Sequence, residues 1–283
     1  MTTPRLATSS IIRTIKANKP TTETMNQHSE LLDIQQHGAI AEITLNRAAK
    51  RNALNDPLVR AIRDCFENLP EGVKVAILRG HGEHFCAGLD LSELRERDTT
   101  ESLHHSRMWH AAFEQIAFGR VPVIAVLHGA VIGGGLELAA AAHIRVAEPS
   151  SFYGLPEGQR GLFVGGGGSV RISRLIGVAR MTDMMLTGRV LSAEEGHQAG
   201  IPQYSVDAGA GMDKARELAE RIARNAPMTN YGVMHVLPRI HDQSIQDGLM
   251  TESLMAAVAG SDPDTKGRLA AFLDLKQNKV KPV

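Results

Sequence analysis

Two carboxylates sit in surroundings that contradict their charge. Glu137 is the only acid in HGAVIGGGLELAAAAH, His128 to His143, whose interior is otherwise glycine and small or aliphatic residues. A helix that is apolar on every side is normally buried, and an ionised carboxylate there is costly unless it is paired or its pKa moves. Glu157 follows Pro156 in FYGLPEGQRG. The proline's fixed φ and missing N–H exclude a regular helix and hold the acid on a rigid loop. Carboxylates placed this way suit general acid–base chemistry. The structural alternatives are a buried Glu137 tied to an arginine such as Arg145, and a Glu157 that is simply an exposed loop acid.

The backbone near Glu137 offers a complement to that chemistry. The apolar stretch Val121 to Leu127 runs into Gly133 to Gly135 and then into a helix starting near Gly134. The free N–H groups of its first turn, with the positive dipole end, therefore point into the space at the strand's end and stabilise negative charge. Glu137 lies about one turn further on, beside the same terminus. Glycines there admit a ligand or another backbone closely, or serve only tight helix packing. A second glycine-bearing segment, HGEHFCAGLDLSEL, repeats the idea. Ala87 and Gly88 permit close approach, Leu89 offers an N–H at the turn, and Asp90 or Ser92 is expected to cap a helix beginning at SELRER. An ordinary left-handed turn and cap is the plainer reading of this segment.

The elements that must position these groups alternate. AIAEITL (Ala39 to Leu45), VKVAILR (Val73 to Arg79) and VPVIAVL (Val121 to Leu127) read as short β-branched strands, with helical patterns over Pro57 to Leu69 and about Glu101 to Phe118 between them. That order predicts an α/β core with parallel pairing. Beyond Ala193 amphipathic helices follow, about Met212 to Asn225, Tyr231 to Ile240, Gln246 to Ala259 and Pro263 to Lys276. The expected organisation is an extension over residues 1–30, a core over 31–210 and a helical region over 211–283.

Other chemistries lack their signatures. Gly133 to Gly135 is not followed by a P-loop lysine, and Gly165 to Gly168 runs into Ser169, Val170 and Arg171 without the last glycine of a dinucleotide loop. A GxSxG elbow and an HExxH zinc motif are absent. His81, His84 and Cys86 lack a further ligand at diagnostic spacing, so no metal is expected. Lys plus Arg total 31 and Asp plus Glu total 31, which gives no basic excess for nucleic acid. Cys65 and Cys86 read as reduced thiols, consistent with a cytoplasmic location. No membrane span is expected. The start, with Arg5, Arg13, Lys16 and Lys19 and no acid before Glu23, reads either as a transit peptide for the mitochondrial matrix or as a disordered lead before Met25.

Taken together, NRAAKRNAL (Asn46 to Leu54), FCAGLDLSEL (Phe85 to Leu94), HGAVIGGGLELA (His128 to Ala139), YGLPEGQRGLFVGGGGSVRISRLIG (Tyr153 to Gly177) and MLTGRVLSAEEGHQAGI (Met185 to Ile201) resemble the crotonase, or enoyl-CoA hydratase/isomerase, superfamily. The resemblance implies a spiral of ββα units followed by a C-terminal helical trimerisation region. It implies that the amides of Leu89 and Gly134 form an oxyanion hole for a thioester carbonyl and that Glu137 and Glu157 are the catalytic acids. It also implies that Lys50, Arg51, Ala53, Ala87, Leu89, Asp90 and Leu91 bind coenzyme A. Lys276 and Lys279 would reach a neighbouring subunit's phosphates in a homotrimer or homohexamer. Coenzyme A belongs to the acyl-CoA substrate, and no separate cofactor is implied.

With both acids present, hydration of a short enoyl-CoA is the expected reaction. An isomerase, a hydroxycinnamoyl-CoA hydratase-lyase or an acyl-CoA hydrolase are alternatives on the same fold, and a non-catalytic CoA- or RNA-binding protein is the alternative of another class. The run from Pro156 to Val190 is also similar to the methylthioacryloyl-CoA hydratases. GQRGLFVGGGGSVRI departs from the common hydratase pattern, so the acyl pocket is expected to differ, with Gln159 or Arg160 either contacting a polar acyl group or facing solvent.

Overall fold

The β-branched runs pair into one sheet because each is apolar on both faces. The computed structural model describes residues 27–28 and 30–275. In chain order the strands are β1 (Gln27–His28), β2 (Leu32–His37), β3 (Ile40–Leu45), β4 (Val75–Gly80), β5 (Val123–Leu127), β6 (Ala130–Ile132), β7 (Ile144–Ala147), β8 (Phe152–Gly154), β9 (Val190–Leu191) and β10 (Tyr204–Ser205). The main sheet has the order β1-β2-β3-β4-β5-β7-β10. Its first pairings are antiparallel, and from β3 onward every neighbour is parallel.

The helices are α1 (Asp56–Glu67), α2 (Thr99–Ala117), α3 (Gly134–Ala141), α4 (Gly168–Ile176), α5 (Val178–Thr187), α6 (Ala193–Ala199), α7 (Gly211–Ala223), α8 (Pro227–Tyr231), α9 (Leu237–Ile240), α10 (Ile245–Ser261) and α11 (Pro263–Leu275). The alternation of side chains along the strands divides the core. Val75, Ile77, Ile124 and Val126 pack with Ala215, Leu218 and Ala219 of α7. Ala76, Leu78, Ala125 and Leu127 join the larger cluster containing Leu58 and Ile62 of α1 and Ala112, Phe113 and Ile116 of α2. Both faces are covered, which is why these strands read as nearly continuous apolar runs.

A smaller sheet of order β6-β8-β9 lies beside the first and carries the site. Ile132 of β6 pairs with Gly154 of β8 in parallel register. The chain therefore leaves both strands on the same side, into α3 from one and into Pro156 and Glu157 from the other. The mixed α/β sheets and trailing helices agree with the expected fold class.

Two local expectations differ from the structure. No helix starts at SELRER; only a single 3-10 turn forms over Leu91–Glu93, and Leu94 is already extended. Its side chains lack an apolar face, and the next helix is nucleated later by a capping box in which Asp98 accepts Glu101 N–H and Glu101 reaches back to Asp98. The helix expected over Tyr231 to Ile240 is divided into α8, a π-turn at Gly232–Val236 and α9. Pro238 in α9 has no N–H to continue the regular ladder. Helix α10 leaves Ile245, Leu249, Met250, Leu254 and Val258 exposed on the single chain. The amino-terminal segment read as a leader, Lys276 and Lys279 lie outside the described residues. Among the described residues no helix is long and apolar enough to cross a membrane.

Candidate active site

The site is built where three backbone segments meet. Cys86 bridges Val131 of β6, and Leu89 bridges Leu54, both in parallel sense. Ile132 N–H donates to Cys86 C=O at 3.1 Å, and Gly133 N–H donates to Gly154 C=O at 2.9 Å. Gly88, at φ 91°, is pressed so close to this turn that a Cβ would lie 2.6 Å from the Ile132 carbonyl oxygen and 3.4 Å from Gly134 N. The Leu89 and Gly134 segments are thus in close contact, as the family resemblance implies.

Leu54 N–H donates to Gly88 C=O at 2.7 Å, and Asp90 N–H donates to Leu54 C=O at 2.8 Å. In a parallel bridge this pattern uses the groups on either side of Leu89 and turns its own N–H away from Leu54. Gly134 is the first residue of α3, where the N–H has no intrahelical acceptor. Both residues line a cavity of about 460 Å³, together with Ala87, Ile132, Glu137 and Glu157.

Glu137 is 3 % exposed. Its Oε1 accepts the amides of Gly166 and Gly168, each at 2.8 Å. Burial is the main cause that pushes its pKa up to about 7, and the nearby Glu157 adds to the rise, while the two amides and Arg171 oppose it. The structural alternative for this acid fails on geometry. Buried Arg145 donates instead to the carbonyls of Ala139, Ala142 and Ile201. Among the described residues Glu137 has no ion pair within 4.0 Å.

Glu157 precedes a 3-10 turn, Gly158–Arg160, and is half-buried in the cavity wall. A Cβ on Gly133 would lie 2.6 Å from Glu157 Oε1. Its other oxygen, Oε2, is buried with no hydrogen-bond partner. Burial raises its pKa, and the charge of Arg160 works against that rise. Two acids thus share one pocket, each with an oxygen left over for a ligand. Gln159, by contrast, donates to Thr187 C=O and lies outside the cavity lining, whereas Arg160 is part of it.

Of the residues expected to hold coenzyme A, Ala87, Leu89 and Leu91 line the cavity. Lys50, Arg51 and Ala53 stand outside it on the adjacent loop, which is joined to the same wall by Ala87 N–H donating to Arg51 C=O at 3.0 Å. Asp90 also lies outside the lining, and its carboxylate faces Arg47 at 2.8 Å. The sequence gives no sign that the amides of Gly166 and Gly168, within the GGGG run, hold Glu137. It also gives no sign of Trp109, whose ring packs under Gly134 and Gly166, or of Asn52, whose buried amide donates to His81 and His84 carbonyls at 2.9 and 2.7 Å. A left-handed Asn52, at φ 55°, was the available signal in the NAL motif only once backbone angles were known.

Known proteins resemble this chain in sequence and fold. The family described as enoyl-CoA hydratase/isomerase matches residues 35–281. The 2,3-dehydroadipyl-CoA hydratase of Escherichia coli (strain K12) is 31 % identical over 247 residues, covering 87 % of this chain and 96 % of the relative. The short-chain-enoyl-CoA hydratase of Clostridium acetobutylicum is 30 % identical, with 86 % and 95 % covered. A crystal structure from Rhodopseudomonas palustris CGA009, provisionally described as an enoyl-CoA hydratase, is 59 % identical and superposes with a TM-score of 0.85 over 87 % of this chain and 96 % of that one. The chain belongs to the enoyl-CoA hydratase/isomerase family, the crotonase superfamily. It is a hydro-lyase of the enoyl-CoA hydratase type.

Proposed function

We propose that this enzyme hydrates a short α,β-unsaturated acyl-CoA in the cavity bounded by Leu89, Gly134, Glu137 and Glu157. The two main-chain amides polarise the thioester carbonyl, which makes the β-carbon electrophilic and stabilises the enolate-like transition state; losing one such donor typically costs about 10²–10³ in rate. Water adds its oxygen to the β-carbon. One acid accepts the water's proton and the other delivers a proton to the α-carbon, so that H and OH are added across the double bond. Two acids in a dry pocket separate in pKa, which supplies one donor and one acceptor near neutral pH.

The observation that carries this reading is the pairing of Glu137, raised to about 7, with Glu157, whose Oε2 is unpartnered beside Gly133. Ala87, Leu89 and Leu91 are the proposed pantetheine wall, with Lys50, Arg51 and Ala53 on the loop behind it. The exposed apolar side chains of α10 support assembly as a homotrimer or homohexamer. The cytoplasm is the proposed compartment, with the mitochondrial matrix as the alternative if the amino-terminal segment is a transit peptide.

Loss of the conjugated thioester absorbance on adding crotonyl-CoA tests the reaction, and a panel with methylthioacryloyl-CoA and feruloyl-CoA assigns the acyl group. The reading is overturned if no short enoyl-CoA is consumed, or if Glu137→Gln and Glu157→Gln leave the rate intact.

A further inference from the structure

The amide proposed to grip the thioester belongs to Leu89, which lies outside every regular helix and strand. Its aim therefore depends on what fixes Gly88 and Asp90. The backbone supplies the Leu54 bridge. Side chains supply a second restraint. Asp90 is 6 % exposed, and its Oδ2 accepts from Arg47 Nη2 at 2.8 Å. Its Oδ1 accepts Ser92 N–H at 3.1 Å and the Ser92 hydroxyl at 2.7 Å. The Arg47 Nη1 donates to the carbonyl of Ala53. One guanidinium thus joins the residue before Leu54 to the residue after Leu89, spanning the bridge from outside.

We propose that Arg47 and Asp90 are positioning residues that hold the Leu89 amide at the angle the transition state requires; this rests on the hydratase reading above. Asp90 lies outside the cavity lining, with both carboxylate oxygens held by Arg47 and Ser92. Hydrogen bonds from Ser92 and then Arg47 keep its carboxyl down at about 2, so the pair is intact wherever the enzyme works. Ground-state binding is spread over the whole acyl-CoA, whereas the oxyanion contact strengthens as charge develops, so loosening the amide lowers kcat more than it raises KM.

The test uses the full chain with Asp90→Asn, which keeps the shape, Arg47→Met, which removes the charge, and Arg47→Lys as the conservative variant. Two readouts are taken: kcat and KM on crotonyl-CoA, and the red shift of 4-(dimethylamino)cinnamoyl-CoA, whose absorbance reports carbonyl polarisation. Expected for Asp90→Asn is a loss of about tenfold or more in kcat with KM within about threefold, and a smaller red shift. Arg47→Lys recovers part of both relative to Arg47→Met, and combining Arg47→Met with Asp90→Asn is no worse than Arg47→Met alone. A normal kcat and full red shift in Asp90→Asn overturns the pairing, as does a loss confined to KM, which would return Asp90 to coenzyme A binding. If the wild type itself neither hydrates crotonyl-CoA nor shifts the probe, it is the hydratase reading that falls.

Discussion

Oε1 of Glu137 accepts the backbone N–H of Gly168 at 2.8 Å, although the two residues come from different helices. The amide of Gly166 meets the same oxygen. One oxygen is thereby fixed, and under the proposed mechanism Oε2 is the one that exchanges a proton.

The raised pKa of Glu137 makes stability depend on pH. Its ordinary value is 4.5, and in the folded protein it is about 7. Between these values the folded chain holds a proton that the unfolded chain has lost, so this contribution is complete below the lower value and is lost as pH rises through the upper one. Glu137→Gln, which cannot ionise, should gain melting temperature relative to the wild type on going from about pH 5 to about pH 8, with an upper bound near about 3 kcal/mol. Thermal melts of both proteins across that range check it; a difference that does not grow with pH contradicts the assignment. In kinetics the two acids titrate as a coupled pair, so apparent values belong to the pair.

Glycines near the acids have distinct tasks. A Cβ at position 168 would lie 2.8 Å from Glu137 Cγ and Oε1. Gly168→Ala is therefore expected to displace the carboxylate and lower kcat by about tenfold or more, with about 1–3 kcal/mol of overpacking cost. Gly133 has φ 53°, and its Cβ would lie 2.6 Å from Glu157 Oε1. Gly133→Ala meets backbone strain of about 1–3 kcal/mol as well as that contact, and should be the more damaging change. Melting temperature and kcat measured side by side rank the two.

Trp109 is the single tryptophan. It is 5 % exposed and lines the cavity, with its ring edge against Gly134 and Gly166. Its fluorescence should therefore respond to saturating acetoacetyl-CoA, with emission characteristic of a buried indole before addition. An unchanged spectrum despite binding measured calorimetrically would place the ligand elsewhere.

Arg160 restrains the pKa of Glu157 from the cavity wall. With Arg160→Gln that restraint is gone, and an apparent pKa of the coupled pair should move to higher pH in the pH–rate profile. Profiles of kcat/KM on crotonyl-CoA show the shift directly. A limb that stays in place separates Arg160 from the chemistry.

Local signals made much of this molecule readable. Strands β3, β4 and β5 appear as apolar runs because both faces are covered, and Glu137 betrays itself as a lone acid in a fully buried helix. The clamp on that acid was not readable from spacing, since Gly166 lies 29 positions away and carries no side-chain signal. Arg47 and Asp90 are 43 positions apart. Asp90 reads as a cap and a coenzyme A residue, and nothing in the sequence couples it to Arg47 until the Leu54–Leu89 bridge brings them together. The absent helix after Asp90 shows the opposite error, in which a good cap was followed by residues with nothing to pack.

Two ionisable side chains meet helix α3 without meeting each other, Glu137 from within it and Arg145 from β7. Arg145 is bound to the carbonyls of Ala139 and Ala142 near its last turn, while Glu137 lies near its first. Had the guanidinium reached back to the acid, the carboxylate would be locked in its ionised form and chemically silent. The guanidinium is instead spent on the carbonyls of Ala139 and Ala142, two and five residues beyond Glu137, and under the proposed mechanism this leaves the acid free to change its proton.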